Sequence, residues 1–165
     1  MELKKEYEII ENFLDEEKSN FIEKILTSNE FPWYYNPELI EDGVGFHFFH
    51  HLMHENQITS LFFYKILLPI LNNFKGTINT IRRARINCLT QMQIPIYYGF
   101  HNDHPEDHKV LLYYVNTNNG FLNLKDGTKI HCKKNKAIIM DGKIKHQVVA
   151  QTDTKTRLAI NITFN

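Results

Sequence analysis

KVLLYYVNTNNGFLNLKDG, residues 109–127, is the stretch on which the reading of the fold turns. An apolar and aromatic run from Lys109 to Tyr114 is followed by Asn119-Gly120, a second run FLNL, and then Asp126-Gly127. Branched and aromatic side chains suit a pleated sheet, and Asn-Gly or Asp-Gly supplies the positive φ of a tight hairpin. Two short antiparallel strands with close turns are predicted here.

The same pattern extends in both directions. TINTIRRARINCLT (77–90), QIPIYYGFH (93–101), KAIIMDG (136–142), HQVVA (146–150) and TRLAINITF (156–164) all read as strands, with Asp141-Gly142 as a third turn. Many short strands joined this way predict an antiparallel sandwich or barrel. Upstream, YEIIENFL reads as a short strand ending at Asp15, a suitable N-cap, with Glu16 and Glu17 at the positive end of the following helix. Phe21, Ile22, Ile25 and Leu26 recur at helical spacing as far as about Ser28. A second helix is expected from about Ile58 to Phe74, bent or bounded by Pro69. Helices confined to the first half should cover the outer face of one sheet.

Composition fits this picture of one domain over residues 1–165, with helical support and flanking strands over 1–76 and the β core over 77–165. Hydrophobic residues make up 42% and charged residues 23%, both ordinary for a globular protein. Lys plus Arg and Asp plus Glu are 19 each, so no general attraction to nucleic acid or anionic membrane follows. Two cysteines, Cys88 and Cys132, are too few for a disulfide framework. MELKKEYEII has no apolar leader core, and the longest apolar run, LFFYKILLPIL, is broken by Lys65 and Pro69. A cytoplasmic protein is expected, without a membrane partner; the oligomeric state is left open.

Chemistry concentrates in HNDHPEDHKV, residues 101–110. Side chains at i and i+2 of an extended segment share a face, which pairs His101 with Asp103. Alone, the tripeptide also suits a solvated hairpin loop. His146 opens the strand HQVVA directly after the Asp141-Gly142 turn. Two imidazoles and one carboxylate with open positions remaining are the ligand set of non-haem Fe(II) oxygenases. A hydrolytic zinc site stays open as the other reading, although its usual H-E-x-x-H is absent and HENQI (54–58) does not supply it.

The last strand carries a second signal. Leu158, Ile160, Ile162 and Phe164 alternate with Arg157, Ala159, Asn161 and Thr163. The first set should face the core; the second, with a guanidinium, two hydrogen-bonding side chains and a small Ala, suits a pocket for a carboxylate. A solvent-facing strand would show the same alternation. Tyr114 lies on the strand expected beside it and can donate to the same anion, whereas Tyr113 reads as the core tyrosine. HFFHHLMH (47–54) reads as a strand exposed on one side, and His131 and Cys132 as part of a surface strand. His104 and His108 are expected in the loop beside the metal.

The ordered set His101-x-Asp103, YYVNTNNG, KDGT, IIMDG, His146 and TRLAINITF resembles the 2-oxoglutarate- and Fe(II)-dependent oxygenases, in their prolyl 4-hydroxylase-like branch. The chain looks most similar to short single-domain bacterial and phage members, over about residues 85–164. The resemblance implies a double-stranded β-helix, of jelly-roll or cupin-like form, with helices packed on one sheet. It implies that His101, Asp103 and His146 bind Fe(II) and are the catalytic centre. Arg157 and Tyr114 would hold the far carboxylate of 2-oxoglutarate, with Asn161 and Asn87 nearby. Dioxygen would be the co-reactant and ascorbate a supporting reductant. The implied reaction couples decarboxylation of 2-oxoglutarate to hydroxylation of a C–H bond, in a protein or peptide side chain such as proline. A nucleobase or small metabolite is the alternative substrate, and a silent ligand-binding barrel the alternative function. Arg82, Arg83 and Arg85 are the local basic stretch a nucleic acid would need, although neutral net charge disfavours one. One departure is Leu89, which falls where many relatives carry a tyrosine; Tyr97 or Tyr98 are candidates to replace it.

Overall fold

The computed structural model describes residues 6–38 and 45–165. Residues 1–5, part of the N-terminus read as leaderless, lie outside the described residues. The strands are β1 (Tyr7–Ile10), β2 (Tyr34–Asn36), β3 (His47–His54), β4 (Gln57–Ile58), β5 (Ile81–Thr90), β6 (Lys109–Tyr114), β7 (Phe121–Leu124), β8 (Lys129–His131), β9 (Lys136–Asp141), β10 (His146–Val149) and β11 (Thr156–Phe164). The helices are α1 (Glu16–Leu26) and α2 (Leu68–Asn73), the latter preceded by a π-helical turn over Phe63–Leu67.

All pairings between these strands are antiparallel. The major sheet runs β1-β9-β6-β11-β5-β3-β2, with β4 attached to β3. The minor sheet runs β10-β7-β8. Two facing antiparallel sheets with helices on the outside of the larger one form the double-stranded β-helix that the resemblance implies.

Period-two alternation divides the core between two layers. On β6 and β11, Leu111, Tyr113, Leu158, Ile160, Ile162 and Phe164 pack in one buried cluster with Ile22 and Leu26 of α1 and Ile70 of α2. Val110, Leu112, Tyr114 and Ala159, from the opposite faces, pack with Leu122, Leu124 and Ile130 of the minor sheet. A one-residue slip of β11 would exchange the two layers and bury Arg157 among the helices.

α1 starts where expected: Asp15 accepts from the Lys18 amide at 2.8 Å, and Glu16 and Glu17 occupy the first turn. Phe21, however, is 48% exposed, so the buried face is Ile22 and Leu26 with Ser19. The expected helix over 58–74 is shorter. Ile58 pairs with Met53 across a β3–β4 hairpin whose turn residues, Glu55 and Asn56, have φ of 45° and 60°. Asn56 tolerates that conformation, and its side chain accepts from the Ile81 amide at 2.7 Å. Pro69 marks the boundary between the π-helical turn and α2, where a missing N–H is tolerated.

Two further expectations are corrected. QIPIYYGFH forms no regular strand; it touches the minor sheet through isolated bridges, Tyr97 to Val149 and His101 to His146. Of the three turn glycines only Gly127 has a positive φ, at 89°. Gly120 and Gly142 are required by space instead. A Cβ on Gly120 would lie 2.8 Å from Asn118 Oδ1, and one on Gly142 would lie 2.4 Å from the His108 ring. Among the described residues, no helix is long and apolar enough to cross a membrane.

Candidate metal centre and carboxylate pocket

The bridge between His101 and His146 brings the first two candidate ligands together. Each donates its backbone amide to the other's carbonyl, at 3.0 and 3.1 Å, and their ring centroids are 4.6 Å apart. Asp103, two residues after His101, reaches back so that Oδ2 lies 3.9 Å from His146 Nε2. One ligand atom from each of His101, Asp103 and His146 lies within 4.8 Å of the others. Among the described residues this is the one such cluster of potential metal ligands.

The hydrogen bonds around the three suit a divalent ion. His101 Nδ1 faces the Gly99 carbonyl at 3.2 Å and His146 Nδ1 faces the Ile144 carbonyl at 3.1 Å. Nδ1–H is the tautomer that satisfies both carbonyls, and it leaves each Nε2 lone pair free for a metal. Asp103 Oδ1 accepts from Arg83 at 3.3 Å, and Asn161 Nδ2 lies 3.4 and 3.3 Å from the two carboxylate oxygens. Burial would raise the Asp103 carboxyl, but the adjoining imidazoles, Arg83 and Asn161 outweigh it and hold the group below its ordinary value. Burial also lowers the His146 imidazole, against the pull of Asp103. An ionised carboxylate and neutral imidazoles are the forms that ligate a cation.

A pocket opens from this cluster onto the faces of β5 and β11, and its lining includes Arg157, Asn161, Asn87, Leu89 and Arg85. Of the alternating face read from TRLAINITF, Arg157, Ala159 and Asn161 line this pocket. Thr163 shares their face but is buried beyond the pocket, with its hydroxyl 3.4 Å from the Arg83 carbonyl. Arg157 is 5% exposed, and its guanidinium carbon sits 5.5 Å from the centre of the Tyr114 ring. Tyr114 stands against the arginine at the end of the pocket, and its buried hydroxyl has no hydrogen-bond partner among the described residues. Tyr113 faces the other way, donating to Ser19 Oγ at 3.1 Å, as the core tyrosine should.

Sequence reasoning missed two residues here. Cys132, expected on a surface strand, is 2% exposed, and its sulfur accepts from Arg157 Nε at 3.0 Å. His131 beside it is exposed, as expected. His47, expected on an open strand face, is 1% exposed and lines the pocket. Its imidazole is lowered to about 4 by burial and by Arg85. His50 is buried on the opposite face, between the Pro32 carbonyl and Ser60 Oγ at 2.7 Å each. Period-two alternation in HFFHHLMH was legible, but which side was covered was not. Leu89 lines the pocket, while Tyr98 packs against it with Ala150 in a small buried cluster.

Comparison with known proteins separates fold from sequence. No protein-family model matches the chain, and no curated protein does. Solved structures do. An oxidoreductase of the 2OG-Fe(II) oxygenase family from Burkholderia pseudomallei superposes with a TM-score of 0.70 at 13% identity, over 97% of this chain and 85% of its own. The fold is that of the 2-oxoglutarate- and Fe(II)-dependent oxygenases. A Trichoplax adhaerens prolyl hydroxylase, solved with a hypoxia inducible factor peptide fragment, gives 0.66 at 14% identity, over 96% and 83% of the two chains. The viral collagen prolyl hydroxylase of Paramecium Bursaria Chlorella virus-1, solved with 2OG, gives 0.61 at 18%, over 96% and 95%. The oxygenase fold thus spans almost the whole chain, including the helical half in which the sequence resemblance was only general.

Proposed function

We propose that this chain, as one domain over 1–165, is a 2-oxoglutarate- and Fe(II)-dependent dioxygenase that hydroxylates a C–H bond in a protein or peptide side chain. The observation that carries the reading is the convergence of His101, Asp103 and His146 beside a pocket that ends in a buried arginine. Iron held by these three would supply dioxygen activation, with open positions for co-substrate and oxygen.

The chain's own residues have separable tasks. His101 and His146 present Nε2 to the metal, with their Nδ1–H groups anchored on carbonyls. Asp103 supplies the anionic ligand, and Asn161 and Arg83 hold its orientation. Arg157 grips the far carboxylate of 2-oxoglutarate, and Tyr114 gives that carboxylate a second donor whose hydroxyl otherwise has no acceptor. Asn87 and Leu89 border the co-substrate. Leu112, Leu122 and Val148 line the same pocket and present apolar surface beside the reacting centre.

Peptide substrates are favoured because two of the similar structures are prolyl hydroxylases, one of them solved with a peptide fragment. Nucleic acid is disfavoured by the fate of the basic stretch. Arg82 is paired with Glu106 at 2.6 Å and Arg83 with Asp103 at 3.3 Å, which leaves little free positive charge for phosphates. A cytoplasmic setting and ascorbate as a supporting reductant complete the proposal.

The test is conversion of 2-oxoglutarate to succinate with added Fe(II), alongside mass spectrometry for the gain of one oxygen atom in candidate peptides. Succinate formation that depends on Fe(II) and disappears in Asp103→Ala is expected. A chain that binds neither iron nor 2-oxoglutarate would instead be a silent barrel.

A further inference from the structure

Arg85 is a second guanidinium in the same pocket, and the reaction proposed above gives it no task. It lies on β5 directly across from Asn161 of β11 on one side and His51 of β3 on the other. Its guanidinium carbon stands 5.8 Å from the centre of the Phe49 ring. Its neighbours Arg82 and Arg83 are each tied to a carboxylate, but among the described residues no carboxylate pairs with Arg85. Arg85 Nε is buried and has no hydrogen-bond partner among the described residues.

Arg85 is only half-buried, but its enclosed Nε and missing counter-ion carry a cost that a fold tolerates readily where a ligand completes the site. Burial and the charge of Arg83 bring the guanidinium down to about 10, so it remains charged at neutral pH. Arg157 faces the co-substrate end of the pocket, against Tyr114 and Cys132. Arg85, four residues along β5 from the partner of Arg157, lies toward β3, where His47 lines the pocket and Phe49 packs against the guanidinium.

We propose that Arg85 is the anion-reading residue of the substrate subsite, so that the molecule oxidised carries a carboxylate close to the C–H bond that is attacked. This rests on the oxygenase reading and narrows its substrate class to an acidic peptide segment or another carboxylic acid. A carboxylate is the proposed anion because a single planar fork satisfies its one negative charge and both its oxygens, whereas a phosphate group carries further charge and oxygens for which this subsite shows no second free cation among the described residues. A phosphodiester strand needs several free cations along an open track.

The test uses the full chain with 2-oxoglutarate at saturation, so that Arg157 is occupied, and acetate or inorganic phosphate as the probe. Binding is read from the Nε–H resonance of Arg85, assigned by its loss in Arg85→Gln. Acetate should shift that resonance in a saturable way. Its affinity, followed by calorimetric titration of acetate into wild type and variant alike, should fall about tenfold or more in Arg85→Lys, which keeps the charge but loses the fork. The affinity for 2-oxoglutarate should stay within about twofold of wild type in both variants. A fall in 2-oxoglutarate affinity as large as that of Arg157→Gln would overturn the proposal and assign Arg85 to the co-substrate. Phosphate binding well above acetate would overturn it in favour of a phosphate ligand. A silent resonance, with Arg85→Gln altering only thermal stability, would make the arginine structural. Failure of the oxygenase reading looks different: 2-oxoglutarate itself would not bind, whatever acetate does at Arg85.

Discussion

The Nε of Arg157 donates to the sulfur of Cys132 at 3.0 Å, in a region where both side chains are almost completely buried. This contact fixes the direction of the guanidinium from behind, and leaves its terminal nitrogens for an incoming carboxylate. Burial disfavours the charged guanidinium, but Cys132 and Tyr114 outweigh it and hold the group above its ordinary value.

Cys132→Ala should therefore weaken 2-oxoglutarate by roughly three- to tenfold while leaving metal affinity unchanged, since one hydrogen bond to a charged donor is lost. Cys132→Ser, which keeps an acceptor, should lie closer to wild type. Calorimetric titration of 2-oxoglutarate checks both. An equal loss of metal affinity would mean that the cysteine supports the whole site instead of one arginine.

Gly142 should not tolerate a side chain. In Gly142→Ala the new Cβ would stand 2.4 Å from the His108 ring, whose Nδ1 faces the Glu106 carbonyl at 2.7 Å. Overpacking of this kind costs about 1–3 kcal/mol. The segment before His146 should shift with it, so thermal unfolding and metal binding should both suffer. Wild-type behaviour in the two measurements would show that His108 moves aside freely.

Acid should destabilise the metal-free chain before its carboxylates titrate. Burial, then Arg85 and Arg83, lower His47 to about 4, while an unfolded histidine titrates near 6.5. The native state binds fewer protons over that interval, so the stability is fully present above about pH 6.5 and is lost as pH falls toward 4. The contribution of His47 between pH 7 and 5 is on the order of 1–2 kcal/mol. Denaturant unfolding at the two pH values, compared with His47→Gln, checks it; a variant with the same pH slope as wild type would rule His47 out as the source.

The residues differ in how far their roles could be read in advance. Arg157, Ala159 and Asn161 were legible because a strand alternates its faces, and the apolar partners Leu158, Ile160 and Ile162 name the buried one. His101 and Asp103 were paired correctly for a reason that did not hold. Their segment is no regular strand, and it is the backbone bridge to His146 that aligns them. His47 and Cys132 were not legible as pocket residues, because burial of a lone polar side chain depends on which strand lies beside it. The β3–β4 hairpin was hidden because Glu55-Asn56 lacks the glycine that usually announces such a turn. Gly120 and Gly142 were rightly marked as turn residues, yet their need is close packing against Asn118 and His108 instead of positive φ.

The most direct measurement is the stoichiometry and affinity with which the metal-free chain binds Mn(II), a redox-stable stand-in for Fe(II), in wild type and in Asp103→Ala. The account predicts one ion per chain in wild type. In the variant, affinity should drop by about a hundredfold or more, because the anionic ligand of a three-residue set is gone. Binding of Mn(II) to Asp103→Ala as tight as to wild type would contradict it.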